Sequence, residues 1–96
     1  MLVVVTYDVS TETAAGRRRL RRVALVCQDF GQRVQKSVFE CIVNETGLAE
    51  LERRLKREMD PSEDSIRIYL MHEDARRLVR HFGVGKPRDL DGPLVV

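Results

Sequence analysis

Residues 2–7 read LVVVTY, a continuous and mostly β-branched run that predicts a buried strand. Asp8 ends this run. From about Thr13 to Phe30 the apolar spacing becomes helical, and Gly31 is the expected stop. The apolar side chains on one face of this helix are Leu20, Val23, Ala24 and Cys27. The chain is therefore expected to begin with a strand followed by a helix.

The middle of the chain predicts three more strands and a second helix. Residues 33–43, RVQKSVFECIV, favour extended chain and predict two short strands that meet near Lys36. A second helix is expected after Gly47 and up to about Met59, and the alternating stretch 65–71, SIRIYLM, predicts a strand. The order βαββαβ is that of a ferredoxin-like α+β domain, in which two helices cover one face of an antiparallel sheet.

The end of the chain predicts a short helix over 73–82 and a terminal strand over 93–96, PLVV. We expect a single domain over 1–96, with a core of about 1–72 and a C-terminal helix and strand over about 73–96. The second face of the sheet would lack a cover in one copy, so the sequence predicts a homodimer. The terminal strand would cross to the sheet edge of the partner.

Composition favours a cytoplasmic protein with no membrane contact. Hydrophobic residues make up 43% and charged residues 33%, and no apolar run approaches the roughly 20 residues that span a bilayer.

The net charge of +2 is unevenly distributed along the chain. Residues 17–36 hold seven basic residues and one acid, which gives this segment a charge of +6 and the remainder −4. This block suggests an anionic partner. Cys27 and Cys41 lack metal-ligand spacing and fit a reduced pair of small apolar side chains.

Five arginines fill the six positions from 17 to 22 in the first helix. A solvated helix face is the plain alternative, but arginine suits bidentate contact with phosphate. We expect Arg17, Arg18 and Arg19 to bind nucleic acid, with Arg21 or Arg22 paired instead with acids. Such contacts recognise the sugar-phosphate backbone of a nucleic acid and not its base sequence. Binding through them weakens steeply as the salt concentration rises.

Asp8 is the candidate site for chemistry, because a carboxylate at the end of a strand can face solvent. On the residues alone, a turn-forming or helix-capping aspartate is the favoured interpretation. His72 and His81 have no acid or cysteine pair around them and are expected at the surface.

Three stretches together resemble the Cas2 family of CRISPR adaptation proteins. They are VVVTYDVS at 3–10, GRRRLRR at 16–22 and GQRVQKSVFEC at 31–41. The stretch DSIRIY at 64–69 is similar to the last core strand of that family. The resemblance runs from about residue 2 to 72.

The resemblance implies a homodimer in which the Asp8 carboxylates of two subunits face each other. Two carboxylates repel unless a cation lies between them, so Mg²⁺ or Mn²⁺ is the implied cofactor. It also implies metal-dependent cleavage of RNA or double-stranded DNA, with Arg33 and Ser37 near the active region and Tyr7 and Phe39 supporting it. Surface exposure of Arg33 and strand packing of Phe39 remain open.

The resemblance further implies a role in spacer acquisition, in which the dimer binds nucleic acid and bridges an integrase partner. An architectural dimer without catalysis is one alternative, and a regulatory ferredoxin-like domain that binds a small ligand is another. One departure bears on the metal, because many family members place a second acid just after the aspartate. Here Val9, Ser10 and Thr11 fill those positions and Glu12 is the next acid.

Overall fold

The structure is a computed structural model that describes residues 1–85. Its elements are β1 (Leu2–Asp8), α1 (Ala14–Phe30), β2 (Gly31–Gln35), β3 (Val38–Ile42), α2 (Glu45–Glu58), β4 (Ser65–Met71) and α3 (Ala75–Leu78). The sheet has the order β2-β3-β1-β4, and each neighbouring pair is antiparallel. The predicted ferredoxin-like α+β fold is confirmed, whereas the strand predicted at 93–96 lies outside the described residues.

The core lies between the sheet and the two long helices. In β1, Val3, Val5 and Tyr7 are buried because every second side chain points toward the helices. The facing side chains from β3 and the helices are Phe39, Cys41, Val23, Cys27, Leu51 and Leu55. Burial raises the pKa of both cysteine thiols to about 12, which agrees with their expected role as apolar packing groups.

The ends of α1 follow the sequence signals, with one difference at Gly31. Thr13 caps the first turn, where its hydroxyl accepts from Gly16 N at 3.0 Å. Gly31 ends the helix but has extended backbone, with φ −168°, and begins β2 directly. A Cβ on Gly31 would lie 2.1 Å from Glu40 O, so close approach to β3 is what requires glycine here.

The second helix begins earlier than the sequence pattern indicated. The expectation that Thr46 and Gly47 precede the helix is wrong, because Asn44 caps it and α2 starts at Glu45. The Asn44 side chain accepts from Gly47 N at 2.8 Å, which satisfies a backbone donor of the first turn.

The third helix is shorter than the predicted span of 73–82. Asp74 caps it by accepting from Arg76 N at 2.9 Å, and the helix ends before Val79, which has extended backbone. Beyond the predicted span, Gly83 and Gly85 have positive φ, so no helix runs through these two residues. Within residues 1–85, no helix is both long enough and apolar enough to cross a membrane.

Candidate functional site

Tyr7 and Asp8 end β1 and point to opposite faces of the sheet, as neighbours on a strand do. Tyr7 is buried on the helix-covered face, whereas Asp8 is exposed. The face that carries Asp8 is called the open face below. The register pairs Asp8 with Ser65 of β4 and Thr6 with Arg67. The side chains of these two neighbouring site residues therefore lie on different faces of the sheet.

Asp8 lies in a shallow cleft of about 220 Å³, called the Asp8 cleft. Its lining residues are Thr6, Tyr7, Asp8, Ser65, Arg67 and Tyr69. Arg67 and Tyr69 contact each other, with Nη1 donating to the tyrosine hydroxyl at 3.3 Å. Within residues 1–85 the Asp8 carboxylate has no hydrogen-bond or ion-pair partner. The cleft thus combines a free carboxylate, hydroxyl groups and one guanidinium.

The donor set of the Asp8 cleft fits a hard divalent cation in part. Mg²⁺ accepts one or two carboxylates and keeps several waters, so one aspartate can take part. Residues 1–85 contain no cluster of three or more acidic, histidine or cysteine side chains that could hold a metal by themselves. Within residues 1–85, no second carboxylate lines the Asp8 cleft.

A larger open groove of about 650 Å³ lies between α1 and the turn that joins β2 to β3. It is called the basic groove. Its polar lining is Arg17, Arg21, Arg33, Lys36, Tyr7, Ser37, Thr11 and Gln28, and its apolar lining is Leu20, Ala24 and Leu25. Among residues 1–85, four cationic side chains and no carboxylate line it, so the groove favours an anionic occupant. Arg33 and Ser37 line this groove and not the Asp8 cleft.

Arg33 is an exposed residue of the basic groove, and aromatic side chains support it. Its guanidinium carbon lies 5.2 Å from the centre of the fully buried Phe39 ring, within the range of a cation–π contact. Phe39 in turn stacks on Tyr7 with ring centres 6.2 Å apart. Burial raises the pKa of Tyr7, an effect that Arg33 only partly offsets, and its hydroxyl donates to Lys36 O at 3.2 Å. Tyr7 and Phe39 therefore support Arg33 directly.

The three arginines predicted to bind nucleic acid have different surroundings. Arg17 donates to Thr11 O at 3.1 Å, and Arg18 is exposed with no partner among residues 1–85. Arg19 forms an ion pair with Asp64, with 2.8 Å between Nε and Oδ2, and its side chain is 19% exposed. Arg17 and Arg18 thus keep more of their guanidinium groups available for phosphate than Arg19 does.

Asp64 and Arg67 are the polar groups around the site that sequence reasoning missed. Asp64 lies within the DSIRIY stretch, but nothing in its spacing shows that its side chain turns inward to Arg19. Arg67 could have been found, because the alternation of SIRIYLM places it on the same face as a strand-end aspartate once the strands are paired.

Comparison with known proteins agrees with this architecture. The family model described as "CRISPR associated protein Cas2" matches residues 1–78. The chain is 54% identical to the CRISPR-associated endoribonuclease Cas2 1 of Moorella thermoacetica over 96 residues, which is all of both chains. It is 47% identical to the CRISPR-associated endonuclease Cas2 of Halalkalibacterium halodurans over 99% of each chain. A crystal structure of Streptococcus pyogenes Cas2 superposes with a TM-score of 0.75 at 52% identity, over 86% of this chain and 100% of that one.

Proposed function

The chain belongs to the Cas2 family of CRISPR-associated proteins, and we propose that it is a metal-dependent nuclease that hydrolyses phosphodiester bonds in RNA or double-stranded DNA. The observation that carries the proposal is the exposed Asp8 carboxylate, which has no partner among the described residues and shares its cleft with Arg67. Relatives that match the whole chain carry the names endoribonuclease and endonuclease, which supports the reaction class.

A homodimer is part of the proposal, because the described residues of one chain bring a single carboxylate to the Asp8 cleft. Two copies joined through their open faces would bring two Asp8 carboxylates together. Mg²⁺ or Mn²⁺ bound there would polarise a phosphoryl oxygen and activate water. From this chain, Asp8 holds the cation and Arg67 offers a guanidinium to a phosphate in the same cleft.

The wider role we propose is CRISPR adaptation in the cytoplasm. The dimer would grip nucleic acid through the exposed arginines of α1 and the basic groove, and would bridge an integrase partner during spacer acquisition. The charge of the groove supports the nucleic-acid contact, since four cationic side chains and no acid from the described part of the chain line it. Family membership supports the integrase contact.

One observation favours a second candidate, an architectural dimer without catalysis. Among residues 1–85, Arg33 and Ser37 line the basic groove and not the Asp8 cleft, and no second acid lines that cleft. If those residues only bind the nucleic-acid backbone, the protein would bridge its partners without cutting.

Asp8→Asn separates the two candidates, because it removes the charge and keeps the side-chain size. We expect cleavage of labelled RNA and duplex DNA in Mg²⁺ to fall by about 100-fold or more, while binding measured by fluorescence anisotropy changes little. Calorimetric titration with Mn²⁺ should show weaker binding for the variant. Asp29→Asn, which removes an exposed carboxylate from α1, is the matched control. Equal cleavage by Asp8→Asn and wild type would contradict a catalytic Asp8, and binding without cleavage by either would favour the architectural dimer.

A further inference from the structure

Asp64 is the one charged residue that is buried within residues 1–85, and its side chain is 0% exposed. It lies between α2 and β4 and accepts four hydrogen bonds. Arg19 donates from Nε at 2.8 Å and from Nη2 at 3.3 Å, Ser10 N donates at 3.1 Å, and Asp60 N donates at 2.9 Å. The Arg19 hydrogen bonds hold the pKa of Asp64 below its ordinary value of 3.8 despite burial. A buried carboxylate with this many donors has little freedom to move.

The contacts of Asp64 reach two segments next to Asp8, the loop that follows it and the strand that pairs with it. Ser10, whose N–H binds the Asp64 carboxylate, follows Asp8 by two residues. Ser65, the covalent neighbour of Asp64, is the β4 partner of Asp8 in the sheet register. One buried carboxylate therefore fixes the loop that follows Asp8 and also lies next to the strand residue that pairs with it.

The same loop is held from its other side by the first turn of α1. A Cβ added to Gly16 would lie 2.0 Å from Ser10 O, so the loop backbone packs directly against the helix. Arg17 also donates to Thr11 O at 3.1 Å. Ser10 thus has its N–H bound by Asp64 and its carbonyl packed against Gly16.

We propose that Asp64, held by Arg19, is a positioning residue that sets where the Asp8 carboxylate points. This inference rests on the proposed function of Asp8. Mg²⁺ demands near-ideal octahedral geometry, so a carboxylate whose supporting backbone moves binds it poorly. The Asp8 carboxylate has no partner of its own in the described part of the chain, so its orientation depends on the backbone that carries it.

The test uses Asp64→Asn, which removes the charge at constant side-chain size. It also uses Arg19→Lys, which keeps the positive charge but loses the bidentate hydrogen bonding to Asp64. Arg54→Lys is the matched control, because Arg54 forms an ion pair with Asp29 at 2.7 Å and neither residue lines the Asp8 cleft. Circular dichroism first establishes that each variant is folded. Amide exchange of Ser10, Mn²⁺ affinity by calorimetry, and the Asp8 carboxyl carbon resonance are then measured on the full chain.

For Asp64→Asn we expect Ser10 exchange to accelerate, the Asp8 resonance to shift, and Mn²⁺ affinity to fall by about tenfold. Arg19→Lys should show a smaller change in the same direction, and Arg54→Lys no change. The proposal is wrong if the folded variants keep the wild-type amide exchange rate at Ser10 and the wild-type resonance of Asp8. It is also wrong if Arg54→Lys changes these two measurements as much as Asp64→Asn does. Should Asp64→Asn fail to fold, Arg19→Lys decides by the same measurements.

The positioning claim and the metal claim fail in distinguishable ways. If Mn²⁺ binds wild type and Asp8→Asn equally, the metal proposal is wrong. Ser10 exchange and the Asp8 resonance then still decide whether Asp64 positions Asp8, since neither needs a bound ion. If Mn²⁺ binding depends on Asp8 but not on Asp64 or Arg19, the metal proposal stands and the positioning proposal is wrong.

Discussion

Glu40 lies in the middle of the open face, in a row with Val4 and Tyr69. Its Oε1 atom is buried and has no hydrogen-bond partner among residues 1–85. Burial raises the pKa of the Glu40 carboxyl above its ordinary value of 4.5, and His81 opposes this only in part. The folded protein therefore holds the Glu40 proton more tightly than the unfolded chain does.

Glu40→Gln should stabilise the protein at pH 7, where the wild type must keep a poorly solvated charge. The raised pKa makes the wild type gain stability as pH falls through the folded-state pKa, and this gain is complete below about 4.5. The melting temperature of the variant should thus exceed that of the wild type at pH 7, and the gap should close toward pH 4.5. Both are compared at one protein concentration, because association shifts melting temperatures.

The exposed Glu73→Gln serves as the control for this comparison. Its melting temperature should follow that of the wild type at both pH values. A change of about 1 kcal/mol would move the melting temperature of a domain this size by about 4–8 °C, which calorimetry resolves. A gap for Glu40→Gln that is the same at pH 7 and pH 4.5 would contradict the prediction.

At the same scale, the sequence could predict which residues carry charge but not which charges are paired. Arg17, Arg18 and Arg19 are equivalent in a helical pattern, yet Arg19 alone meets Asp64, which is 45 positions away. Such a pair depends on how α1 packs beside the turn before β4, and no local spacing encodes that. Asp8 could be placed from sequence because strand ends are local features.

The elements meet most tightly where α1 passes directly into β2. Gly31 is both the helix end and the first strand residue, and Glu40 and Cys41 of β3 leave no space for a side chain there. Helix and strand ends of this kind were largely predictable, since Thr13, Phe30 and residues 65–71 carry clear signals. The start of α2 and the length of α3 could not be predicted, because capping by Asn44 and Asp74 competes with the apolar pattern.

Gly31→Ala should destabilise the protein by about 1–3 kcal/mol or more, because its Cβ would lie 2.1 Å from Glu40 O and force β2 away from β3. Urea unfolding followed by circular dichroism measures the change. Gly47→Ala in α2 is the comparison, since its nearest new contact is 3.2 Å and alanine favours helix. An equal loss of stability in the two variants would show that close strand approach is not the cause.

At the scale of the whole molecule, the second subunit of the predicted homodimer would pack on the open face. Tyr69 remains 45% exposed on this face, and Phe82 is 87% exposed in the segment after α3. Apolar groups left in water on a small domain favour association. The covering partner is a second copy in this proposal, because a second copy would bring another Asp8 carboxylate to the same face.

Light scattering after gel filtration should therefore give twice the chain mass of 11.1 kDa. Tyr69→Glu should shift the protein to the monomer, since it places a charge in the contact. Leu25→Glu is the control, because Leu25 is similarly exposed, at 53%, but lies on the helix side. A monomeric wild type, or dissociation caused by Leu25→Glu but not by Tyr69→Glu, would place the interface elsewhere or remove it.

The opposite orientations of Tyr7 and Asp8 link the two sides of the sheet through a single peptide unit. An anion bound near Tyr7 that shifted this peptide unit would also shift the Asp8 carboxylate. Occupancy of one side would then alter affinity on the other, and thermodynamic reciprocity requires the same factor in both directions. A sheet only one strand layer thick can in this way make cation and polyanion binding cooperative.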